Sequence, residues 1–293
     1  MPSSVYRSPA DQARVRDWCE ERLAAWPLVH DRREIETPAG RTNSVRVGPR
    51  GGIGAMTLVL VPGTNMSAAV SLRAAEALAE AAPLVVLDVP GQPGLSSGLR
   101  PRRHRMDWYG RWLAGTLEQI TDGPVVVVGH SLGAAIALAC PSERIAGRVL
   151  VSPGGLVRLR VGAPVLGATL PWMLRPSPTR AERLLTFMTG PGHAVPPELS
   201  TWMDLVGSSC RSSLAPAPLP SDVLGRARSA PLLPVAGSCD PFLPPDRLGS
   251  GTRRRLDAPL RVLPDVGHLL PEEVPARLAG LVAGFLDSVQ PRQ

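Results

Sequence analysis

The chain has 293 residues, of which 44% are hydrophobic and 19% are charged, and its formal net charge is +7. This length and composition predict a packed core and exclude a globally disordered chain. All 32 basic residues are arginine, and no nucleic-acid-binding motif accompanies them, which argues against a nucleic-acid partner. We expect the densest groups to be solvated faces. These groups are Arg100, Arg102, Arg103 and Arg105, and then Arg253, Arg254 and Arg255.

Cysteine spacing and hydropathy indicate which cofactors and which cellular compartment to expect. The cysteines at 19, 140, 210 and 239 are too far apart in sequence for a zinc or redox pair, and we expect no metal and no organic cofactor. The N-terminus lacks an apolar signal core, and no uncharged apolar stretch reaches the roughly 18 residues of a membrane helix. The sequence therefore predicts a cytoplasmic protein that does not insert into a membrane.

The N-terminal part predicts a helix followed by a hairpin. Residues 8–26 have apolar side chains at helical spacing, Ser8 can cap the helix and Asp11 completes a capping box. Two extended segments follow, at 33–37 and 44–48, with turn residues between them. They predict an antiparallel hairpin at the edge of a sheet.

Apolar runs then alternate with helical segments. The runs lie at 56–61, 84–88, 124–129, 147–152, 231–237 and 260–263, and helices are predicted at 67–82, 107–120, 131–140 and 272–289. Strands that are apolar throughout and separated by helices are typical of a parallel sheet with both faces covered. The predicted fold class is therefore α/β.

Residues 154–228 interrupt this alternation, because they contain many Pro and no clear buried strand. We expect helices near 178–190 and 197–210 and interpret the segment as an inserted helical cap. The predicted organisation is an N-terminal helix at 1–30, a core domain at 31–153 and 229–293, and the cap at 154–228.

The candidate nucleophile is Ser131, in the motif Gly129-His130-Ser131-Leu132-Gly133. The motif lies between a buried strand and a helix, and so tight a turn requires Gly129 and Gly133. Ser131 should therefore stand at the carboxyl end of the sheet, where a helix N-terminus favours developing negative charge. The alternative is a serine that only caps the helix. We expect His130 to pack under the turn rather than to act as the base.

A serine nucleophile needs a base and a carboxylate that orients the base. His268 follows the last predicted strand, and Asp240 follows the strand before it. Their order along the chain, Ser-Asp-His, is the one that this architecture requires. Three other carboxylates compete for the role of the acid, namely Asp246, Asp257 and Asp265.

Two backbone N–H groups are needed to stabilise the charge that develops on a carbonyl oxygen during acyl transfer. We expect one from Leu132 and the other from the loop after the first apolar run, with Thr64 as first choice and Asn65 as second. Gly63 permits close approach in this loop. The alternative is an ordinary turn at the end of a strand.

Together these motifs resemble the α/β-hydrolase superfamily over about residues 33–290. Besides the serine motif, the matches are the loop Asp88-Val89-Pro90-Gly91-Gln92-Pro93-Gly94-Leu95-Ser96, the pair Gly237 and Asp240, and Gly267-His268. The cap resembles the lid of the esterase, haloperoxidase-like and proline iminopeptidase-like subgroup. Relatives usually carry His-Gly where this chain has Pro62-Gly63, and that His commonly braces the oxyanion loop, so the departure affects the expected register of Thr64.

The resemblance implies hydrolysis of a carboxylic ester, lactone or thioester through an acyl-enzyme, with a small acyl-bearing molecule as substrate. Alternatives are C–C bond hydrolysis, acyl transfer or cyclisation on a biosynthetic intermediate, and a non-catalytic small-molecule binder. An acyl carrier protein is a further candidate partner, docked by the arginine groups. An apolar substrate pocket is predicted from Met66, Phe242 and the cap residues Trp172, Phe187, Met188, Trp202 and Met203. These cap residues could equally form the core of the cap.

Overall fold

The computed structural model describes residues 3–48, 56–211 and 215–289. In chain order these residues form β1 (Ser3–Ser4), α1 (Pro9–Ala24), β2 (His30–Thr37), β3 (Gly40–Val47), β4 (Thr57–Val61), α2 (Leu72–Ala79), β5 (Leu84–Leu87), β6 (Leu99–Arg100), α3 (Arg105–Ile120), β7 (Val125–His130), α4 (Leu132–Ala139), β8 (Ile145–Val151), α5 (Ala163–Leu174), α6 (Pro178–Met188), α7 (Pro197–Ser209), α8 (Ser221–Ala227), β9 (Leu232–Gly237), α9 (Pro245–Leu256), β10 (Arg261–Leu263), α10 (Leu270–Glu273) and α11 (Pro275–Val289).

The central sheet has eight strands in the order β10-β9-β8-β7-β4-β5-β3-β2. The six strands from β10 to β5 in this order are parallel to their neighbours, whereas β3 is antiparallel to both β5 and β2. The short strands β1 and β6 pair separately. This arrangement confirms the predicted α/β class, with a mostly parallel sheet and a hairpin at its edge.

Helices cover both faces of the sheet, which explains why the central strands are apolar at every position. On β7, Val126 and Val128 belong to the buried cluster that includes side chains of α2 and α11. Val125 and Val127 belong to the cluster on the other face, with side chains of α3 and α4. Successive side chains of a strand point to opposite faces, so a strand between two helical layers must be hydrophobic throughout.

The N-terminal helix has the predicted cap. The hydroxyl of Ser8 accepts the N–H of Asp11 at 3.1 Å and donates to the Asp11 carboxylate at 2.6 Å. The helix ends at Ala24, two residues before the predicted end.

Several elements differ from the prediction in their extent. Strand β3 already begins at Gly40, because Gly40 pairs with Thr37 across a two-residue turn. Helix α2 begins only at Leu72, and Pro275 separates the last predicted helix into α10 and α11. Helices α5 and α9 were not predicted, although Pro245, Asp246 and three arginines in its last turn are typical of the ends of a helix such as α9.

Helices α5, α6 and α7 pack against one another, and α7 also packs against α1. We call these three helices the helix layer. Helix α8 lies in the same predicted cap segment, but it packs against α4 and α9 beside the sheet. The parts of the predicted domains at residues 1–2, 49–55, 212–214 and 290–293 lie outside the described residues. Within the described ranges, every helix is too short or too polar to traverse a lipid bilayer.

Candidate active site

Ser131 lies on a sharp turn between β7 and α4, with φ of 51° and ψ of −104°. The left-handed φ is unusual for a residue other than glycine and is typical of a nucleophile elbow. A Cβ atom on Gly129 would lie 2.5 Å from the carbonyl oxygen of Gly133, and one on Gly133 would lie 1.9 Å from that of Val61. The two glycines therefore permit the close backbone contacts that raise Ser131 at the carboxyl edge of the sheet.

The structure brings Ser131, His268 and Asp240 together in one hydrogen-bonded line. Nε2 of His268 lies 3.2 Å from the Ser131 hydroxyl, and Nδ1 lies 2.7 Å from Oδ2 of Asp240. Because a carboxylate only accepts, Nδ1 carries the proton, and Nε2 can accept the hydroxyl proton of Ser131. This geometry is that of a nucleophile, a base and an orienting acid.

Asp240 is held as a carboxylate by its surroundings. Its second oxygen accepts the N–H groups of Phe242 and Leu243, each at 2.9 Å. Burial raises the pKa of Asp240, but the adjacent His268 and the N–H of Leu243 outweigh burial and keep the pKa below its usual value. A charged acid next to Nδ1 favours the tautomer in which Nε2 is free to accept.

The three competing carboxylates lie elsewhere. Asp246 is in the first turn of α9, Asp257 ends that helix and Asp265 is exposed on the loop before His268. Nδ1 of His268 bonds to Asp240, so the geometry favours Asp240 as the acid.

The backbone of His268 is fixed on both sides. Its N–H donates to the carbonyl of Met188, at the end of α6, at 2.7 Å. Its carbonyl accepts from Nε2 of His130 at 2.9 Å, while Glu273 accepts the N–H of Gly267. Burial and the nearby His268 lower the pKa of His130 to about 3, so His130 is neutral. His130 packs under the turn, as expected. The hydrogen bonds from the His268 loop to Met188 and Glu273 could not be predicted from the sequence motifs.

The Asp88 loop, residues 88–96, is built around a buried carboxylate. Asp88 accepts the N–H groups of Ala68 at 2.6 Å and Leu95 at 2.8 Å. Burial raises the pKa of Asp88, and these hydrogen bonds oppose that rise. The fixed loop places the buried side chain of Gln92 against the oxyanion loop, residues 62–66.

In the oxyanion loop, Asn65 is hydrogen bonded through its backbone in both directions. Its N–H donates to Oε1 of Gln92 at 3.0 Å, and its carbonyl accepts from the indole Nε1 of Trp202 at 2.7 Å. The N–H of Asn65 is thus already engaged, which favours Thr64 over Asn65 as an oxyanion donor. Leu132, the other predicted donor, is the first residue of α4.

The predicted substrate-binding residues divide into two sets. The ring of Phe242 stands perpendicular to the ring of His268 at 5.1 Å, and Phe187 contacts Phe242 in turn. By contrast, Met66, Trp172, Trp202 and Met203 are buried, and the Trp172 indole donates to the carbonyl of Met203. The geometry favours a pocket position for the phenylalanines and a packing role for the buried set. Met188, which is half-buried, contributes the carbonyl already described.

A cavity of about 510 Å³ lies beside the nucleophile elbow. It is lined by Leu132, the residue after the nucleophile, and by Gln92, Tyr109, Met106, Val223 and Arg105, whereas Ser131 and His268 are not among its lining residues. A cavity of this volume can hold a small organic group.

The arginine groups are used partly inside the fold. Arg100 is buried and donates to the carbonyls of Gly91 and Arg211, each at 2.9 Å. Arg255 donates to the carbonyl of Leu156 at 2.7 Å. Neither guanidinium is therefore freely presented to a partner, in contrast to the exposed Arg102 and Arg103. Over the ranges that the structure describes, no three His, Cys, Asp or Glu side chains are grouped as metal ligands.

Comparisons with known proteins agree with this architecture. A sequence profile of the alpha/beta hydrolase family matches residues 58–281. Lipase LipV of Mycobacterium tuberculosis (strain ATCC 25618 / H37Rv) is 32% identical over 213 residues, which is 62% of this chain and 79% of that protein. The naproxen esterase (carboxylesterase NP) of Bacillus subtilis superposes with a TM-score of 0.78 at 19% identity, covering 96% of this chain and 99% of the esterase. Carboxylesterase CesB (YbfK) of Bacillus subtilis gives 0.76 at 18% identity, with coverage of 94% and 98%.

Proposed function

Because the chain belongs to the α/β-hydrolase family, we propose that it is a serine hydrolase that cleaves carboxylic esters through an acyl-enzyme on Ser131. The observation that carries the proposal is the continuous hydrogen-bonded line from the Ser131 hydroxyl through His268 to Asp240. Relatives named as a lipase and as carboxylesterases support ester substrates.

In the first half of the reaction, the hydroxyl oxygen of Ser131 attacks the ester carbonyl while Nε2 of His268 accepts the hydroxyl proton. The buried Asp240 carboxylate stabilises the imidazolium that results. The N–H groups of Leu132 and Thr64 stabilise the negative charge on the carbonyl oxygen. Collapse of the tetrahedral intermediate breaks the bond to the alcohol, which takes the proton from His268.

In the second half, His268 accepts a proton from water, and the hydroxide equivalent attacks the acyl-enzyme. The same two N–H groups stabilise the second tetrahedral intermediate, and Ser131 leaves with the proton that His268 returns. No external redox or group-transfer reagent enters this cycle. Phe187, Met188 and Phe242 are the proposed contacts for the apolar part of the substrate, because the Phe242 ring adjoins the base and Phe187 packs on Phe242.

The test is hydrolysis of a fluorogenic short-chain ester by wild type and by Ser131→Ala, with Ser208→Ala as the matched control. Ser208 is an exposed serine on α7 whose hydroxyl donates to the carbonyls of Asp204 and Leu205 in its own helix. We expect turnover by wild type and by the control, and a loss of about 10⁵-fold or more in Ser131→Ala. A fluorophosphonate probe should label the same two proteins and not Ser131→Ala.

Two outcomes would change the proposed substrate, and a third would contradict the proposal. Turnover of a lactone, a thioester or a C–C bonded ketone in preference to esters would keep the triad and change the substrate. Binding of an acyl carrier protein that weakens sharply with salt would favour a thioesterase docked through the exposed arginines. Absence of both turnover and probe labelling would favour a non-catalytic binder and contradict the proposal.

A further inference from the structure

We propose that Trp202 of the helix layer is a positioning residue for the oxyanion loop and aligns the N–H of Thr64 through two peptide groups. This inference rests on the proposed serine-hydrolase function and adds to it the structural element that holds the second oxyanion donor. Trp202 lies on α7, 137 residues away in sequence from the loop residue that it contacts.

The connection is a chain of two hydrogen bonds. The indole Nε1–H of Trp202 donates to the carbonyl of Asn65 at 2.7 Å. The same peptide group carries the N–H of Met66, which donates to the carbonyl of Gly63 at 3.2 Å. That carbonyl belongs to the peptide group whose N–H is that of Thr64. Because hydrogen bonds in series polarise one another, the indole both orients the Thr64 N–H and strengthens it as a donor.

Two side chains fix the backbone conformation of Asn65. Its φ of 62° lies in the left-handed region, which few residues other than glycine adopt and which asparagine adopts more readily than most. Such a conformation persists where the surroundings determine it from several sides. Gln92 holds the N–H of Asn65 and Trp202 holds the carbonyl, so the two peptide groups on either side of its Cα are each fixed by one of these side chains.

The indole itself has little freedom to move. Trp202 is fully buried, and its ring packs on Trp18 of α1 with 4.9 Å between the ring centroids. An ion pair of 3.3 Å between Arg22 and Glu198 also joins α1 to α7. The donor therefore approaches the Asn65 carbonyl from a direction that the packing of α1 and α7 sets.

The experiment compares Trp202→Phe with Trp112→Phe. Trp112 is a matched control, because it is also buried and its indole donates to the side chain of Thr42 at 2.8 Å rather than to the backbone of the oxyanion loop. Both variants lose one indole N–H and keep an aromatic ring, so we expect similar decreases in melting temperature. The measurements are kcat and KM for the fluorogenic ester, and the inhibition constant of a trifluoromethyl ketone, which forms an oxyanion on Ser131.

We expect Trp202→Phe to lower kcat about 10-fold, which is less than the roughly 10²–10³-fold loss when an oxyanion donor is removed outright. KM should change less than about 2-fold, and the trifluoromethyl ketone should bind about 10-fold more weakly. Trp112→Phe should keep both constants near wild type. Equal kcat and inhibition constants in the two variants would overturn the proposal, because a packing defect alone would then explain them.

A second substitution removes the N–H without changing the packing. Benzothienylalanine at position 202 keeps the bicyclic ring that stacks on Trp18 but has sulfur in place of the N–H. It should reproduce the loss of kcat with a smaller effect on melting temperature, and wild-type kcat in this protein would overturn the proposal even if Trp202→Phe does not fold. A wild type without Ser131-dependent turnover would instead overturn the proposed function, and this inference with it.

Discussion

The nucleophile elbow and the oxyanion loop are neighbours at one edge of the sheet, but different contacts fix their shapes. At the elbow, backbone meets backbone, since a Cβ atom on Gly133 would come within 1.9 Å of the carbonyl oxygen of Val61. At the oxyanion loop, the side chains of Gln92 and Trp202 reach in from other segments and hold the backbone of Asn65.

The comparison shows that a sequence predicts a site shaped by close backbone contacts more readily than one held by distant side chains. A close backbone contact can be recognised in the sequence, because only glycine fits there and its position relative to the serine is fixed. A hydrogen bond from a distant side chain to a backbone carbonyl cannot be recognised in the sequence, because every residue has a carbonyl. The elbow could therefore be predicted from five consecutive residues, whereas the support of the oxyanion loop required the fold.

After Ser131→Ala, the largest effect is expected from Asp240→Asn, which tests the assignment of the acid. The amide cannot favour the tautomer with a proton on Nδ1 of His268, so kcat should fall about 10⁴-fold while the fold is retained. Asp265→Asn is the control, because Asp265 is exposed and three residues from His268. Steady-state kinetics on the ester measures both variants. A larger loss of kcat in Asp265→Asn than in Asp240→Asn would show that Asp240 is not the acid.

The backbone contact at the elbow is tested by Gly133→Ala. A Cβ atom at this position meets backbone atoms that cannot move aside, so we expect the free energy of unfolding to fall by roughly 3 kcal/mol or more. Gly280→Ala in α11 is the control, since no atom lies within 4 Å of the added Cβ. That variant should gain up to about 1 kcal/mol from helix propensity. Urea denaturation measures the free energy of unfolding of both variants. Equal values for Gly133→Ala and wild type would show that the elbow tolerates a side chain.

The junction between the sheet and the helix layer contains a buried carboxylic acid, Glu272 on α10. Burial raises its pKa from 4.5 to about 8, with Arg73 of α2 opposing the rise and Glu198 of α7 adding to it. Between pH 4.5 and 8 the folded protein keeps a proton that the unfolded chain releases. The stability of the wild type should therefore decrease as pH rises through this window.

Glu272→Gln removes this dependence, because the amide has no proton to lose. Its advantage over wild type in the free energy of unfolding should be small near pH 4.5, grow with pH and level off above pH 8, reaching the order of 1–3 kcal/mol. Glu182→Gln, at an exposed glutamate of α6, is the control. Urea midpoints at pH 5 and pH 8 measure the effect, and an unchanged difference between these pH values would contradict it.

Much of the fold and the meeting of Ser131, Asp240 and His268 could be predicted from the sequence. Parallel strands end at the same edge of the sheet, so residues just after successive strands must lie near one another. The sequence favoured Asp240 over Asp265 as the acid. The conformation of the two loops decides between them, and the sequence does not determine that conformation. In the structure the N–H groups of Phe242 and Leu243 turn the Asp240 carboxylate towards His268.

The helix layer was predicted least well. Helices were expected near 178–190 and 197–210, where α6 and α7 lie, but α5 was missed, as was the attachment of the layer to both loops. The layer contacts the base loop through the Met188 carbonyl and the oxyanion loop through Trp202. Both are single contacts between segments far apart in sequence, and neither changes the local pattern of apolar residues.

The packing of Trp18 on Trp202 has a practical consequence for anyone shortening this protein. Helix α1 precedes residue 58, where the match to the family begins, so a truncation guided by that match would discard it. Such a fragment would retain Ser131, Asp240 and His268 but expose one face of the Trp202 ring to water. We expect such a fragment to have a lower kcat than the full chain, so a shortened protein should keep helix α1.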